Sequence, residues 1–426
     1  MHRSNLFPLL MIVLPALCAP NAAGGDSLKK GKTAVATVPA GGPPSTHHAS
    51  TSPALSVTGR YLLFKTDVDA LIGGVANGVG QLVVLDRDTG QQQLATVTKF
   101  GAPSTSISTF GALSADGRYV AFTSAATNLV TGLDVIDNLG YNDIFRRDMQ
   151  TGTTVRVSKS WDNKAASFHC IDPHISADGR FVAFQTISDN LVPGSGNAKI
   201  QVFVRDLLLN TIERASKGPG ATPADASCDV RGISGDGRFV LYQSYAENLG
   251  VPSIGTSQVW LRDRQEESNE LISIAKGAAA KGDCYGVALS SDGRYVAFTS
   301  DAKNLPGAGK SGKTLLYVRD RKKGKTSKVK FGKGLDFQND GPTFSANGRY
   351  LTVTLKQQGK PRRSYVHDLK KNQTTLVSVN SKKKKANDAC QSVVISGNGK
   401  IVAWASKATN LGADKDDDFD VFVRRW

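Results

Sequence analysis

Short apolar runs separated by glycine, asparagine, aspartate and serine fill most of the 426-residue chain. A typical run is RFVAFQTI at residues 180–187, in which apolar residues are consecutive rather than alternate. A strand that is covered on both faces has this pattern, whereas a strand with one face in solvent alternates apolar and polar residues. The pattern predicts an all-β chain of short strands joined by turns.

One nine-residue unit recurs seven times, and its glycines are 58, 62, 58, 56, 55 and 51 residues apart. The copies read SVTGRYLLF from Ser56, SADGRYVAF from Ser114, SADGRFVAF from Ser176, SGDGRFVLY from Ser234, SSDGRYVAF from Ser290, SANGRYLTV from Ser345 and SGNGKIVAW from Ser396. Self-similarity at a nearly fixed period indicates a repeat architecture in which each copy is one structural unit.

Each copy has room for four strands, as the third copy illustrates at residues 171–176, 180–187, 200–206 and 211–216. The first two segments flank a Ser-x-Asp-Gly-Arg turn, whose glycine can take the positive φ of a tight hairpin. Sheets that are covered on both faces and come without helices pack against one another around an axis. The sequence therefore predicts a seven-bladed β-propeller with four-stranded antiparallel blades.

The two ends of the chain are expected to share one blade. The seventh copy stops at Trp426, where its third strand ends. Residues 29–38 (KKGKTAVATV) resemble residues 322–329 (KKGKTSKV), which form the turn and fourth strand of the fifth copy. We therefore expect residues 33–38 to complete blade seven, which would remove exposed sheet edges.

The first residues have the pattern of a secretory signal peptide, with a basic start, an apolar stretch over residues 6–19 and small residues after it. We expect a signal peptide at residues 1–23, a propeller domain at residues 24–426, and a periplasmic or secreted protein. A lipid or uncleaved membrane anchor is the alternative for this stretch. No other segment is apolar enough to span a bilayer, so we do not expect an integral membrane protein. We also expect the protein to be a monomer.

The Ser-x-Asp-Gly-Arg-hydrophobic unit, repeated over nearly all of the chain after the signal, resembles the WD40-like PD40 repeat of TolB-type propellers. This resemblance implies the fold but leaves the function open, because the same repeat occurs in binding proteins, protease propellers and lyases. Lyases of this kind hold a metal largely with histidines. The histidines on the corresponding side of this chain belong to copies one and three only: His47, His48, His169 and His174.

Positive charge is concentrated in one part of the chain. Residues 303–400 contain 23 Lys and Arg against 5 Asp, a net charge of +18. The candidate anion-binding residues lie on long connections on one side of the predicted propeller: Lys360, Arg362, Arg363, Lys382, Lys383, Lys384 and Lys385. A one-sided field favours an anionic partner. A charged surface that only keeps the chain soluble is the alternative.

We therefore expect an exported binding or scaffold module whose partner is a protein or an acidic glycan. Nucleic acid is not expected, because no aromatic stacking pattern accompanies the lysines. No residue is assigned a catalytic role. The alternative function is a propeller-type polysaccharide lyase or hydrolase that acts on an acidic glycan.

Two acidic segments could bind Ca²⁺, although no cofactor is required by the binding function. The candidate ligands are Asp134, Asp137, Asn138 and Asp143 in copy two, and Asp414, Asp416, Asp418 and Asp420 in copy seven. Clustered carboxylate and amide oxygens suit this cation. The spacing is not that of an EF-hand, and a polar turn is the alternative for each segment.

Four cysteines occupy equivalent positions, nine residues before the repeat glycine: Cys170, Cys228, Cys284 and Cys390. In an oxidising compartment, a disulfide between neighbouring blades among Cys170, Cys228 and Cys284 is possible if their Cα atoms approach within about 7 Å. Small buried thiols are the alternative.

Two smaller regularities are interpreted as structural. An asparagine precedes a leucine at the start of five connections between strands two and three, and we expect it to bond to its own backbone: Asn128, Asn190, Asn248, Asn304 and Asn410. An Arg-Asp pair ends the third strand in several copies, and we expect it to form ion pairs or turn caps.

Overall fold

The computed structural model describes residues 28–37, 50–67, 79–98, 100–130, 140–194, 197–250, 255–308, 313–338, 340–412 and 418–426. These residues form thirty strands, of which twenty-eight make seven four-stranded antiparallel sheets. The other two strands, β18 (Ile274–Ala275) and β19 (Ala278–Ala279), pair as a short hairpin. Residues Pro219–Ala221 form one turn of 3-10 helix.

Each four-stranded sheet is one blade. In six blades the strands occur in chain order from the inside outwards, and in the seventh β28, β29 and β30 are followed by β1. The first strands are β2 (Ser50–Leu55), β6 (Ser108–Leu113), β10 (Cys170–Ile175), β14 (Cys228–Ile233), β20 (Cys284–Leu289), β24 (Leu335–Gln338) and β28 (Cys390–Ile395). The second strands are β3 (Tyr61–Thr66), β7 (Tyr119–Ser124), β11 (Phe181–Thr186), β15 (Phe239–Ser244), β21 (Tyr295–Ser300), β25 (Tyr350–Gln357) and β29 (Ile401–Ser406).

The outer half of each blade repeats in the same way. The third strands are β4 (Gln81–Asp86), β8 (Asp143–Asp148), β12 (Gln201–Asp206), β16 (Gln258–Asp263), β22 (Leu315–Asp320), β26 (Arg363–Asp368) and β30 (Asp420–Arg425). The fourth strands are β5 (Gln92–Leu94), β9 (Thr153–Arg156), β13 (Thr211–Arg214), β17 (Ser268–Leu271), β23 (Lys325–Lys328), β27 (Gln373–Leu376) and β1 (Thr33–Val35).

The blades form a closed ring. The first strands of blades one to five contact one another in succession, which places them innermost, and β2 of blade one contacts β28 and β29 of blade seven. Seven buried hydrophobic clusters fill the junctions between successive blades, and each cluster takes residues from two blades. The consecutive apolar residues of the second strands follow from this packing, because both faces of each sheet are covered. The predicted seven-bladed, all-β propeller is confirmed.

The N-terminal strand completes blade seven, as the sequence predicts. Strand β1 pairs antiparallel with β30, with Thr33 opposite Arg424 and Val35 opposite Phe422. The hydroxyl of Thr33 donates to the carbonyl of Val379 (2.6 Å), just as the hydroxyl of Thr326 in blade five donates to a carbonyl of the preceding connection (2.6 Å). The matching KKGKT segments therefore take equivalent places. Val38, the last residue of the predicted strand, lies outside the described residues.

Each Ser-x-Asp-Gly-Arg unit ties its own blade together at one end. In blade three, the Ser176 hydroxyl donates to Asp178 (2.6 Å), and the same carboxylate accepts from the Arg180 amide (3.0 Å). The Arg180 guanidinium makes two hydrogen bonds to Asp206 at the end of β12, at 2.9 and 2.6 Å. The Asp206 carboxylate also accepts from the Leu208 amide (2.9 Å). The aspartate of the Arg-Asp motif therefore forms an ion pair and caps a turn, as the sequence predicts. Its ion-pair partner is the arginine of the Ser-x-Asp-Gly-Arg unit.

The recurrent asparagines bond differently from our expectation. Instead of bonding to its own backbone, Asn190 accepts from the Ser167 amide (3.1 Å) and donates to the Ala165 carbonyl (2.6 Å). Both partners lie on the hairpin that connects the preceding blade to this one. The same pair of bonds occurs at the other four asparagines: Asn128, Asn248, Asn304 and Asn410. We call this residue the clamp asparagine.

None of the described helical segments has the length and apolar character that crossing a membrane requires.

Candidate functional site

Two basic segments that are distant in sequence lie side by side. The Arg363 side chain donates from Nε to the carbonyl of Ala386 (3.3 Å), and the Cys390 amide donates to the carbonyl of Arg362 (3.0 Å). These contacts join the start of β26 to the connection that leads into blade seven. The seven predicted anion-binding residues therefore lie in one sector, which we call the basic surface: Lys360, Arg362, Arg363, Lys382, Lys383, Lys384 and Lys385.

The lysine run of the basic surface lies on a firmly held hairpin. The side chain of Asn380 accepts from the amides of Lys382 and Lys384, both at 2.9 Å. The clamp asparagine Asn410 donates to the carbonyl of Lys385 (2.8 Å). All four lysine side chains are exposed. The backbone is thus fixed while four ammonium groups extend into solvent, which presents positive charge without an ordering cost for the backbone.

The segment that leads into the N-terminal strand adds a lysine to this sector, and we did not predict that contribution. The Thr33 amide donates to the hydroxyl of Ser381 (3.2 Å), and that hydroxyl donates to the Thr33 carbonyl (3.3 Å). Because Ser381 precedes Lys382, the exposed Lys32 lies next to the basic surface. The match between residues 29–38 and the fourth strand of blade five could have revealed this neighbourhood.

Few described carboxylates neutralise the basic surface. Arg362 forms an ion pair with Asp340 (3.2 Å), and both side chains are partly buried. Lys360 and the four lysines of the hairpin are exposed to solvent. The positive potential of this sector therefore comes mainly from exposed lysines, which salt screens effectively.

Two of the predicted calcium ligands hold their own blades together. Asp143 accepts from the Ser158 hydroxyl (2.6 Å), and Asp420 accepts from the Thr37 hydroxyl (2.6 Å). In blade three, Gln201 accepts from the Ser216 hydroxyl in the same way (2.7 Å). We call this pairing, between the start of the third strand and the end of the fourth, the strand lock. Asp143 and Asp420 therefore occupy a position that glutamine also fills.

The remaining calcium candidates lie mostly beyond what the structure describes. Asp134, Asp137, Asn138, Asp414 and Asp416 are outside the described residues, and Asp418 is at the edge of a described segment. Across the described ranges, no group of three or more His, Cys, Asp or Glu side chains is placed to hold a metal ion. Calcium binding by these two loops stays a prediction.

The predicted disulfide is not formed. Cys170, Cys228, Cys284 and Cys390 begin the first strands of their blades, as expected, but all four are free and buried thiols. The physical reason is that each sulfur is engaged within its own blade and its hydrophobic junction. The Cys284 thiol donates to the Ser300 hydroxyl (3.2 Å), for example. Burial raises the pKa of Cys284 to about 11 and that of Cys228 to about 12, so both are protonated at neutral pH.

A polar cavity of 390 Å³ lies among the inner strands of blades three, four and five. Its lining includes Asp172, His174, Arg231, Gln243 and Tyr285. The Arg231 guanidinium donates to Gln243 (3.2 Å), whose amide also accepts from the backbone of blade five. We did not predict this site, because side chains from three separate copies converge there only after the ring closes.

We call this space the channel cavity, and its surroundings shift the pKa values of three of its side chains. Burial raises the pKa of Asp172, and the nearby Arg231 partly offsets that effect. Burial lowers the pKa of His174 to about 4, and repulsion from Arg231 acts in the same direction. Burial and the adjacent Tyr245 raise the pKa of Tyr285 to about 12. At neutral pH the cavity therefore offers an uncharged imidazole, a phenol and a guanidinium, which suit hydrogen bonding to a polar ligand.

The left-handed backbone of Asp172 does not distinguish this cavity. Its φ is 54°, and Ser52, Phe110 and Ser392 have φ values of 54°, 51° and 53° at the equivalent place in their blades. The first strand pairs irregularly with the second beside each of these residues. The conformation is therefore a bulge of the repeat rather than strain stored at one site.

Within the described part of the chain, neither His169 nor His174 belongs to a cluster of the kind that a histidine-bound metal would need. The Nδ1 atom of His169 accepts from the Asn142 amide (2.9 Å), while the partly buried His174 lines the channel cavity. His47 and His48 are outside the described residues.

No family model matches the chain, and no curated protein matches its sequence. Solved structures match by fold. TolB from Acinetobacter baumannii is 17% identical over 69% of this chain and 58% of that chain, with a TM-score of 0.40. The β-propeller domain of the trilobed protease from Pyrococcus furiosus is 12% identical over 88% of this chain and 92% of that chain, with a TM-score of 0.56.

An oligogalacturonate lyase in complex with manganese is also similar, with 12% identity over 89% of this chain and 90% of that chain and a TM-score of 0.56. At such identities the likeness concerns the fold alone. The chain is a seven-bladed β-propeller whose fold is similar to those of this protease propeller domain and this lyase.

Proposed function

We propose that this propeller is an exported binding module that takes an anionic partner, an acidic glycan or an acidic protein, on the basic surface. The convergence of Arg362 and Arg363 with the lysine hairpin carries the proposal, because the fold gathers these charges from separate segments. The hairpin backbone is held by Asn380 and Asn410, so binding would not have to order it.

The charge distribution supports the same function. The segment 303–400 carries +18, whereas the whole chain carries +16, so the rest of the chain is slightly acidic. Such asymmetry steers an anionic partner towards one sector and speeds its association. The recurrent Arg–Asp pairs, in contrast, are satisfied within their own blades and add little to this field.

The test compares two variants that remove the same number of charges. The first replaces Lys382, Lys383, Lys384 and Lys385 with serine. The second, as a control, replaces exposed lysines of the turns after β22 and β26: Lys322, Lys323, Lys370 and Lys371. The probe is alginate, a polyanionic glycan, and affinity is measured by titration at low and at high salt.

We expect the hairpin variant to bind alginate about tenfold more weakly, because several charge-assisted contacts are lost, while the control changes little. Wild-type affinity should fall steeply as salt rises. Equal losses in both variants, or binding that is insensitive to salt, would contradict a role for the basic surface. If the partner is an acidic protein, titration with that protein should show the same loss of affinity in the hairpin variant and the same small change in the control.

The alternative function, a lyase or hydrolase for an acidic glycan, would use the channel cavity, where Asp172, Arg231 and Tyr285 line one space. Incubating the protein with alginate and following new unsaturated or reducing ends tests it. If the protein forms product and the Arg231→Ala variant does not, the function is catalysis rather than binding.

A further inference from the structure

The junction between blades five and six differs from the other described junctions. The strand lock pairs Gln201 with Ser216 in blade three and Gln258 with Ser273 in blade four (2.6 Å). In blade five the equivalent positions hold Leu315 and Lys330, so an apolar and a cationic side chain replace the bonded pair. The polar groups that receive the following connection are therefore missing here.

The connection itself is also rebuilt. Hairpins lead from blades one, two, three, four and six into the next blade within the described residues. The connection after blade five instead makes a short turn in which the Leu335 amide bonds to the Gly332 carbonyl (3.2 Å). It then enters β24, which pairs with an extended β25 of eight residues. Blade six has Gln357-Gln358-Gly359 where blades two, three, four, five and seven carry the clamp asparagine.

A cavity of 660 Å³ lies beside this altered connection. Its apolar lining comes from blade five and from the connection, and includes Leu315, Val329, Phe331, Leu335 and Phe337. The rings of Phe331 and Phe337 stack with centroids 6.2 Å apart. Leu315, Phe331, Leu335 and Phe337 are only partly buried, so apolar surface remains open to a ligand.

Lysines surround this apolar space. Lys325 and Lys330 are exposed and line the cavity, and Lys328 donates from Nζ to the Gly307 carbonyl (3.2 Å). Lys313 is engaged by Asp336, the one acidic side chain among the described residues of the lining. The rim is therefore cationic while the interior is apolar, a combination that matches a molecule with an apolar body and an anionic end.

We propose that this junction cavity binds an anionic amphiphile, namely a single acyl chain with a carboxylate or phosphate head group. The acyl chain would lie against Leu315, Phe331 and Phe337, and the head group would meet Lys325 or Lys330. A peptide segment fits less well, because the glutamine, serine and asparagine that satisfy hairpin backbone at other junctions are absent here. Buried peptide groups without such partners are costly.

This inference is independent of the proposed function. The junction cavity and the basic surface share no residue, so removal of the lysine hairpin leaves the cavity intact and the two proposals can fail separately.

The experiment measures binding of dodecanoate by calorimetric titration, with dodecanol as a probe that has the same chain but no charge. The main variant, Leu315→Gln with Lys330→Ser, installs the strand-lock residues of blades three and four. A second variant, Lys330→Glu, changes only an exposed side chain and so cannot fail by misfolding of the core. Lys400→Glu, at an exposed lysine in the turn between β28 and β29, is the matched charge control.

We expect saturable binding of dodecanoate by the wild type, binding about tenfold weaker in both cavity variants, and unchanged binding in the control. Dodecanol should bind more weakly to the wild type and should not respond to Lys330→Glu. Vesicles that contain phosphatidylglycerol distinguish the sources of the chain: capture through the same residues indicates a membrane lipid, and its absence indicates a free fatty acid.

Absence of saturable dodecanoate binding would overturn the proposal. So would equal binding by the wild type and the Leu315→Gln, Lys330→Ser variant, or displacement of the probe by an acidic peptide at lower concentration than by dodecanoate.

Discussion

A β-carbon placed on Gly237 would lie 2.2 Å from Cδ2 of Phe181, which belongs to the preceding blade. The glycine has a φ of 73°, so the turn of blade four needs it for its backbone as well as for this approach. The Phe181 ring cannot retreat easily, because the guanidinium groups of Arg180 and Arg264 lie over it at 4.6 and 4.5 Å. The repeat glycine therefore sets the distance between neighbouring blades.

Replacement of this glycine tests that role. Gly237→Ala should lower the free energy of unfolding by about 2–4 kcal/mol, the sum of a strained φ and a clash with a packed ring. Gly194→Ala is the control, since Gly194 has a φ of 69° but no atom within 4 Å of its β-carbon position. The control should lose only about 1 kcal/mol in urea unfolding. Equal losses would show that the turn conformation, and not the packing of blades, requires the glycine.

Acid should weaken the ion pair at the end of blade two in a defined pH range. Hydrogen bonds from the Arg118 guanidinium lower the pKa of Asp148 from 3.8 to about 2, although partial burial raises it. A lowered carboxyl pKa means that the stabilisation is complete above pH 3.8 and is lost as the pH falls through about 2. Asp148→Asn should therefore reduce the slope of unfolding free energy against pH in this range, measured by urea unfolding at several pH values. Identical slopes would contradict the shift.

The fold could be predicted because the same turn-and-strand unit occurs seven times in the sequence. Each Ser-x-Asp-Gly-Arg copy carries its own hairpin, and the spacing between copies leaves room for two more strands. The closure by residues 33–35 was also predictable, since the KKGKT motif at the N-terminus matches a strand that is present elsewhere in the chain.

The partners of side chains were harder to predict than the strands. Asn190 was assigned to its own turn because local bonds are the usual choice for asparagine. Its partners, Ala165 and Ser167, are more than twenty positions earlier in the chain and come close only when the hairpin folds back. Asp143 was read as a metal ligand because it follows other acids, whereas its bond to Ser158 depends on the register of two strands.

The channel cavity was missed for the same reason. Asp172, Arg231 and Tyr285 come from three copies, and no spacing in the sequence relates them. The basic surface was found because the lysines are consecutive, but the addition of Lys32 depends on the closed ring.

The cysteines should react slowly while the protein is folded. All four are buried, and burial raises the pKa of Cys284 to about 11, so little thiolate is available at pH 7. Labelling with a thiol-specific reagent should be slow in native buffer and should reach four equivalents for residues 28–426 only after denaturation. Fast native labelling of Cys284, or fewer than four reactive thiols after denaturation without reductant, would contradict free buried thiols.

Removal of the N-terminal strand should open the ring. Without β1, the edge of β30 is exposed and the Thr37 hydroxyl no longer bonds to Asp420. A chain that begins at residue 39 should unfold at a lower temperature than one that begins at residue 28, which keeps β1 and serves as the control. An exposed strand edge also recruits other chains, so the shorter chain should form larger species in size-exclusion chromatography. If both chains melt together and elute alike, the ring does not depend on this strand, and the hydrophobic junction between blades one and seven is sufficient to keep it closed.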